Sequence, residues 1–433
     1  MARGSTRPTS RDVAQAAGYL EILRTRHAAR LLAGTLVGRL PNATAAIAIV
    51  LFVRAEGGTY SLAGALAAVY GLANAVGQPL LGRLVDLYGQ LRVQLPAAVV
   101  SALAMIVFAL SGLDPLWPAY LAMAVAGLCT PPLEGGLRAL WSTVLRKEEQ
   151  VHTAYAMDAV AQEVMFTVGP LLVTLCVALW SASAALVVLS AIGVLGALWV
   201  VVSPPSRAWR SAPREAHWLG ALRSPGLLAL LGAFFFVGVA LGSITVAAVS
   251  YADGHGGDAV YGWLMAGLGL GALVGGTAYG ARRWTGAPER RLQVLVALLA
   301  VCYVPLTLMP GPVGMTGLTT LAGVFLAPSI ACVFVLVDRH APRGTVTEAF
   351  SWIVTTFTVG QSVGTAVAGP VVEWGGTLWG FVVPGAAGAV SLLVLLATGR
   401  VLAVPSGGAV VAVSSENDPN RAAEPRFSSV DRA

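Results

Sequence analysis

Between Arg30 and Arg400 the chain is a succession of long apolar runs separated by short breaks, and no soluble fold could bury so many of them. Twelve runs can be read, near residues 30–53, 59–81, 93–112, 116–140, 153–178, 182–202, 226–251, 259–280, 292–309, 313–337, 348–372 and 377–398. A helix crosses the hydrocarbon core of a bilayer with about 20 apolar residues. Charge points the same way: Asp, Glu, Lys and Arg make up 11% of the 433 residues, against roughly a quarter in soluble domains. Lipid offers no partner to backbone N–H and C=O groups, so spans of this length are expected to be helices. The expected fold is an all-α integral membrane protein of twelve transmembrane helices, here called spans 1 to 12.

Basic residues set the expected orientation. Arg24, Arg26 and Arg30 precede span 1, Arg83 and Arg92 separate spans 2 and 3, and Arg146 and Lys147 follow span 4. Arg207, Arg210, Arg214 and Arg223 fill the central loop, Arg282, Arg283, Arg290 and Arg291 separate spans 8 and 9, and Arg339 and Arg343 separate spans 10 and 11. Every second loop is thus basic, while the loops between hold acids such as Glu56, Asp114, Asp253 and Glu373. Basic loops stay cytoplasmic, so both termini are expected in the cytoplasm of a cell whose plasma membrane holds the protein. The net charge of +6 reads as topology, and no nucleic-acid partner is implied.

The second half repeats the first. Gly34 matches Gly232, Gly57 and Gly58 match Gly256 and Gly257, Gly127 matches Gly323, Pro132 matches Pro328, Tyr155 matches Phe350, and Gly169 matches Gly364, at a nearly constant offset. Repeated halves are an architecture of secondary transporters. The expected division is a tail over 1–28, a six-helix half over 29–202, a central loop over 203–224, a second six-helix half over 225–400 and a tail over 401–433. The last segment is polar enough to be disordered.

The stretch Gly82 to Val93, "GRLVDLYGQLRV", resembles the signature of the major facilitator superfamily, G-x-L-a-D-R-x-G-R-R, at the family's place between spans 2 and 3. Gly82, Leu84, Asp86 and Gly89 match; Leu87, Gln90 and Leu91 stand where arginines are usual, with Arg92 one step later. Spans 5 ("AYAMDAVAQEVMFTVGP") and 11 ("TEAFSWIVTTFTVGQSVGTAVAGPVVEWGG") resemble those of actinobacterial efflux members. The resemblance implies that spans 1, 4, 7 and 10 line a central cavity, that 2, 5, 8 and 11 flank it, and that 3, 6, 9 and 12 face lipid. It also implies a gate in which Asp86 meets the start of span 11, between Gly344 and Thr347, with Arg92 and Arg138 beside it. Two family features of proton-driven drug antiporters are missing: an arginine in the outer half of span 4, and most of a glycine pattern in span 5, of which Gly169-Pro170 remains. Span 11 keeps Gly360, Gly364 and Gly369 for close helix packing.

Charge inside a membrane is costly and marks function by default. Five residues qualify, Arg39 in span 1, Glu134 and Arg138 in span 4, and Asp158 and Glu163 in span 5. Glu134 and Arg138 lie four apart and can pair on one helix face. Asp158 and Glu163 lie about 140° apart around a helix and cannot both face one site. Three acids against two arginines leave one negative charge, to be met by a proton or by a cationic substrate. Glu163, assisted by Asp158, is the expected proton site with Arg39 as its partner, and Glu134 is a further candidate; packed structural ion pairs are the alternative for each. On the second half Trp352, Gln361 and Phe235 are the cavity candidates, set against the alternative that aromatic residues in spans only pack.

A phosphate-binding loop needs Gly-Lys-Ser/Thr, and the only lysine, Lys147, stands in "RKEE". No nucleotide-hydrolysing enzyme, cofactor or metal site is expected; Cys129, Cys176, Cys302 and Cys332 carry no disulfide or zinc spacing. The leading expectation is a monomeric, proton-coupled exporter of a small amphiphilic or drug-like metabolite. An uptake symporter or uniporter for a nutrient, and a membrane sensor or scaffold that transports nothing, are the alternatives.

Overall fold

The computed structural model describes residues 19–404, apart from Arg146, residues 214–217, Arg283 and Thr285, and apart from the side chains of Tyr60, Phe166, Thr167 and Asp258. Most of the two tails, and the loop residues Arg146, Arg214 and Arg283, thus lie outside the described residues. The long helices are α1 (Ala28–Ala55), α2 (Tyr60–Tyr88), α3 (Gln90–Ser111), α4 (Leu116–Leu128), α5 (Leu133–Val144), α6 (Glu148–Leu179) and α7 (Ala182–Val201) in the first half. In the second they are α8 (Pro225–Asp253), α9 (Asp258–Gly280), α10 (Pro288–Tyr303), α11 (Pro312–His340), α12 (Val346–Gly375) and α13 (Thr377–Ala397). No strand occurs among the described residues. Among the described residues ten helices, counting Leu116–Val144 as one, are long and apolar enough to cross a membrane by length and composition. The two spans outside that set are α2 and α12, whose polar residues face the site described below.

Local chemistry sets the helix ends. Thr59, Ser181 and Ser224 cap α2, α7 and α8 by accepting a hydrogen bond from the backbone N–H three residues on, which satisfies a donor the helix cannot. Gly89 ends α2 with φ of 89°, a conformation that favours glycine because it has no Cβ.

Span 4, expected as one helix over 116–140, is two. Pro131 and Pro132 lack N–H groups and bias the residue before them away from helix, so α4 stops at Leu128 and α5 starts at Leu133. Span 9, expected over 292–309, is α10 followed by a 3-10 turn from Val304 to Leu308.

The repeat is visible in packing. Gly127 of α4 lies against Tyr70 of α2, and its mate Gly323 of α11 lies against Leu268 of α9. Gly169 of α6 lies against Thr44 of α1, and its mate Gly364 of α12 against Val239 of α8. Each glycine thus packs on the helix that opens its own half, although not at equivalent positions. Within the second half, Gly238 and Gly242 of α8 meet the carbonyls of Phe357 and Gln361, while Gly360 and Gly364 of α12 meet those of Phe235 and Val239. A Cβ at any of these four would overlap a backbone oxygen, which is why small residues set this crossing.

The halves meet where α2 and α5 pack on α12 and where α6 packs on α9 and α11. The contacts concentrate at the end bearing the basic loops. There Tyr155 and Phe350, repeat mates, stack with ring centroids 5.8 Å apart, Val160 packs on Gly276 and Ala156 on Gly280, and Arg339 reaches Glu148 at 2.8 Å.

Candidate functional site

At the basic-loop end, Asp86 in the last turn of α2 points across to the other half. One carboxylate oxygen accepts a hydrogen bond from the backbone N–H of Thr347 at 3.1 Å and the other from that of Glu348 at 2.9 Å. These are N–H groups of the first turn of α12, which its own N-cap residue, Thr345, leaves unbonded because the Thr345 hydroxyl turns back to Pro342. Asp86 therefore caps a helix of the opposite half, where the N-terminal partial positive charge favours a carboxylate. Gly82, one turn earlier on the same face, lets α2 approach until a Cβ would lie 2.6 Å from the Ser351 hydroxyl. Arg83 donates to the Trp218 carbonyl at 2.8 Å, tying the central loop to the same place, whereas Arg92 is exposed. Gln90, standing where the family has an arginine, is fully buried; it accepts from the Ser206 hydroxyl at 2.6 Å and donates to the Gly136 carbonyl of α5 at 2.9 Å.

Four of the five intramembrane charges form a closed ring. Arg39 reaches Glu134 at 2.7 Å and Asp158 at 3.1 Å, and Arg138 reaches Asp158 at 2.7 Å and Glu134 at 3.4 Å. Arg39 also donates to the Gln162 side-chain oxygen at 3.2 Å. Two cations face two anions, so the ring is neutral, as burial demands. Its members are unequally sheltered: Arg138 and Asp158 are fully buried and Arg39 is 4% exposed, but Glu134 is 15% exposed. Glu134 occupies the first turn of α5, where the helix dipole stabilises a carboxylate. Arg138 also lies over the ring of Phe334, its guanidinium carbon 3.7 Å from the centroid, a cation–π contact worth about 2 kcal/mol when desolvated.

The ring corrects the expected partnership of Arg39 with Glu163. Arg39 pairs with Asp158, and a side chain five residues further along α6 points elsewhere. Glu163 follows Val160 on the side of α6 that packs toward α9, and it does not line the cavity.

That cavity, of about 260 Å³, lies between the halves above the gate. Its walls differ. The first half contributes Arg39, Asn42, Tyr70, Asn74, Gln78, Glu134 and Gln162; the second contributes Phe234, Ile330, Phe334, Ile353 and Phe357, relieved by Thr355, Thr358 and Gln361. By the repeat offset, Glu134, Arg138 and Asp158 correspond to Ile330, Phe334 and Ile353, so the charged cluster of one half faces its own apolar copy. The Thr355 hydroxyl and the Asn74 side-chain oxygen, on two residues of these walls, are buried without a protein hydrogen-bond partner. Among the described residues, no three His, Cys, Asp or Glu side chains are grouped to hold a metal ion.

Of the three cavity candidates in the second half, Gln361 lines the cavity and Phe235 and Trp352 do not. Phe235 turns against Phe236, with centroids 5.2 Å apart, and the neighbours Phe234 and Ile353 take the inward positions; a one-residue step rotates a helix face by about 100°. Gly169 and Gly364 pack within their own halves rather than across the interface. Sequence reasoning missed Tyr70, Asn74 and Gln78, although their four-residue spacing in an otherwise apolar span marks one polar helix face.

An all-helical bundle of two repeated halves, with a cavity between them and a helix cap bridging them at one end, is the class defined by this geometry. The family model of the Major Facilitator Superfamily matches residues 31–364, and the chain belongs to that superfamily. Among solved structures it is similar to a bacterial homologue of the iron transporter ferroportin in the outward-facing state, at TM-score 0.70 and 14% identity, covering 86% of this chain and 99% of that one. It is similar to the E. coli fucose:proton symporter FucP at TM-score 0.66 and 16% identity, covering 85% of this chain and 97% of the other. The human organic anion transporter MFSD10 aligns at TM-score 0.58 and 17% identity, over 90% and 100%. Likeness at such identities establishes the fold alone. A search of the curated proteins found no significant match.

Proposed function

We propose that the protein is a secondary active exporter in the plasma membrane, moving a small amphiphilic metabolite out of the cell by alternating access in exchange for protons. The observation that carries this reading is Glu134: it is the one member of the neutral ring that opens substantially to the cavity, and the next residue, Gly135, packs on Thr347 and Ser351 of the gate helix α12. A proton on Glu134 removes one anion from the ring and leaves two arginines facing Asp158 alone. A substrate bearing a basic group competes with that proton for the same carboxylate, which is the exclusivity exchange requires. The apolar wall opposite accepts the rest of an amphiphile by contact area. With the basic-loop end in the cytoplasm and sealed by Asp86, this conformation is the outward-facing one.

The test uses purified protein in proteoliposomes with an imposed pH gradient, a pH-sensitive dye inside, and a panel of amphiphilic amines added in turn. Amine-dependent proton flux is expected in the native protein and is expected to vanish in Glu134→Gln, with the remaining amine binding weakened and no longer dependent on pH. Glu163→Gln serves as the comparison, since Glu163 offers a proton site outside the ring. Flux lost in Glu163→Gln and retained in Glu134→Gln would move the coupling role to Glu163. Flux in neither orientation for any amine, with accumulation of nutrients in right-side-out vesicles, would favour the uptake reading.

A further inference from the structure

A groove of about 630 Å³ opens on the basic-loop face, away from the central cavity. Arg26 and His27 line it where the chain enters α1, and Trp209 and Arg210 line it from the segment that follows α7. Among the described residues, no carboxylate lines it. His27 holds a left-handed conformation, φ 75°, which costs energy for a residue with a Cβ and persists where the surroundings impose it. It stands at the start of α1, which has no side-chain cap.

The groove begins just past the end of α7, at Pro204 and Pro205. Arg30, one turn into α1, donates through Nε and Nη2 to the Trp199 carbonyl at 3.3 and 3.2 Å, joining α1 to the end of α7. The end of α7 exposes Leu195, Leu198, Trp199 and Val202, an apolar strip with an indole at the depth where aromatic residues mark the membrane boundary. A ligand that fits both parts has an anionic head and a hydrocarbon tail. We infer that this groove binds the phosphate headgroup of an anionic phospholipid, with Arg26 and Arg210 as its cationic contacts and an acyl chain along the end of α7. Basic pockets between spanning helices recognise such headgroups through charge and hydrogen bonding to phosphate.

Arg210 connects the groove to the gate. One of its terminal nitrogens donates to the carbonyls of Arg207 and Trp209 at 3.1 and 2.7 Å, and it packs 3.3 Å from where a Cβ on Gly89 would stand. Ser206, one turn before it, holds Gln90. A headgroup on Arg210 therefore steadies the loop against the start of α3.

The experiment is binding of phosphatidylglycerol and phosphatidylcholine to the purified full-length protein by native mass spectrometry, with melting temperature in nanodiscs of each lipid as a second readout. Phosphatidylglycerol is expected to bind in preference and to raise the melting temperature. Arg26→Gln with Arg210→Gln is expected to weaken that binding about thirtyfold, about fivefold per arginine, while Arg26→Lys with Arg210→Lys restores most of it. Inorganic phosphate at millimolar concentration is expected to compete poorly; stabilisation by phosphate equal to that by the lipid would assign the groove to a soluble phosphate and overturn the lipid. Equal binding of both lipids, or an undiminished preference in the glutamine double variant, would overturn the site itself.

Discussion

Arg138 illustrates what charge does at the scale of one residue. It is fully buried, meets Asp158 at 2.7 Å and is covered by Phe334. Removing it leaves Asp158 and Glu134 sharing Arg39, with one negative charge unmatched, and breaking such a buried pair typically costs about 3–5 kcal/mol. Arg138→Met is therefore expected to lower the melting temperature of the detergent-solubilised protein sharply. Adding Asp158→Asn should recover much of the loss, because the stranded charge goes with it. Neutralising Glu134 should cost far less stability than Arg138→Met, since Glu134 is partly solvated. The five charges were legible in the sequence because so few interrupt the spans. Their partners were not, because helix spacing reports only neighbours on the same helix: it gave Glu134 with Arg138, and Arg39 joined the ring through tertiary packing alone. The same limit misplaced Phe235 and Trp352 relative to Phe234 and Ile353, since the rotation of α8 about its axis is set by Gly238 and Gly242 meeting α12.

At the scale of the element, the break between α4 and α5 matters most. Pro131 and Pro132 create a second helix start inside a span, and that start places Glu134 at the cavity, Gly135 on α12 and Gly136 against Gln94. Replacing both prolines by alanine is expected to extend α4 through the break, swing Glu134 away from Arg39 and loosen proton coupling more than substrate binding, measured as substrate leak without proton flux. The crossing of α8 and α12 gives a sharper expectation. Gly242→Val places side-chain atoms where the Gln361 carbonyl stands, so this variant should lose about 2 kcal/mol or more of stability, in the upper range of overpacking costs, read as the midpoint of thermal unfolding. The Pro-Pro pair was visible in the sequence, yet an unbroken run of apolar residues outweighed it in the reading of span 4.

For the whole molecule, the helix cap shared between halves is what the proposed gate rests on. Asp86→Asn keeps one acceptor but loses the second N–H···O bond and the charge that the helix dipole favours, at about 1 kcal/mol, or roughly a fivefold change in the balance between closed and open forms. Asp86→Asn should shift that balance toward opening at the basic-loop end. Ser351 is 2% exposed beside Gly82, so Ser351→Cys should react with a water-soluble maleimide several-fold faster in the Asp86→Asn background; unchanged labelling would count against the latch. The contact of Asp86 with the start of α12 was legible from the signature stretch, whereas the part of Gln90, which replaces a charge with two buried hydrogen bonds, was not. The contact of Arg138 with Phe334 bears on ancestry. The two occupy the same position in each repeat, and they touch because that position lies at the axis relating the halves. An ancestor assembled from two identical units would have set each copy of this position against itself, cation on cation or ring on ring. Neither pairing could supply both a partner for Asp158 and a cover for the guanidinium. The charged centre thus depends on the two halves differing at this position, as they also do at Glu134 with Ile330 and Asp158 with Ile353.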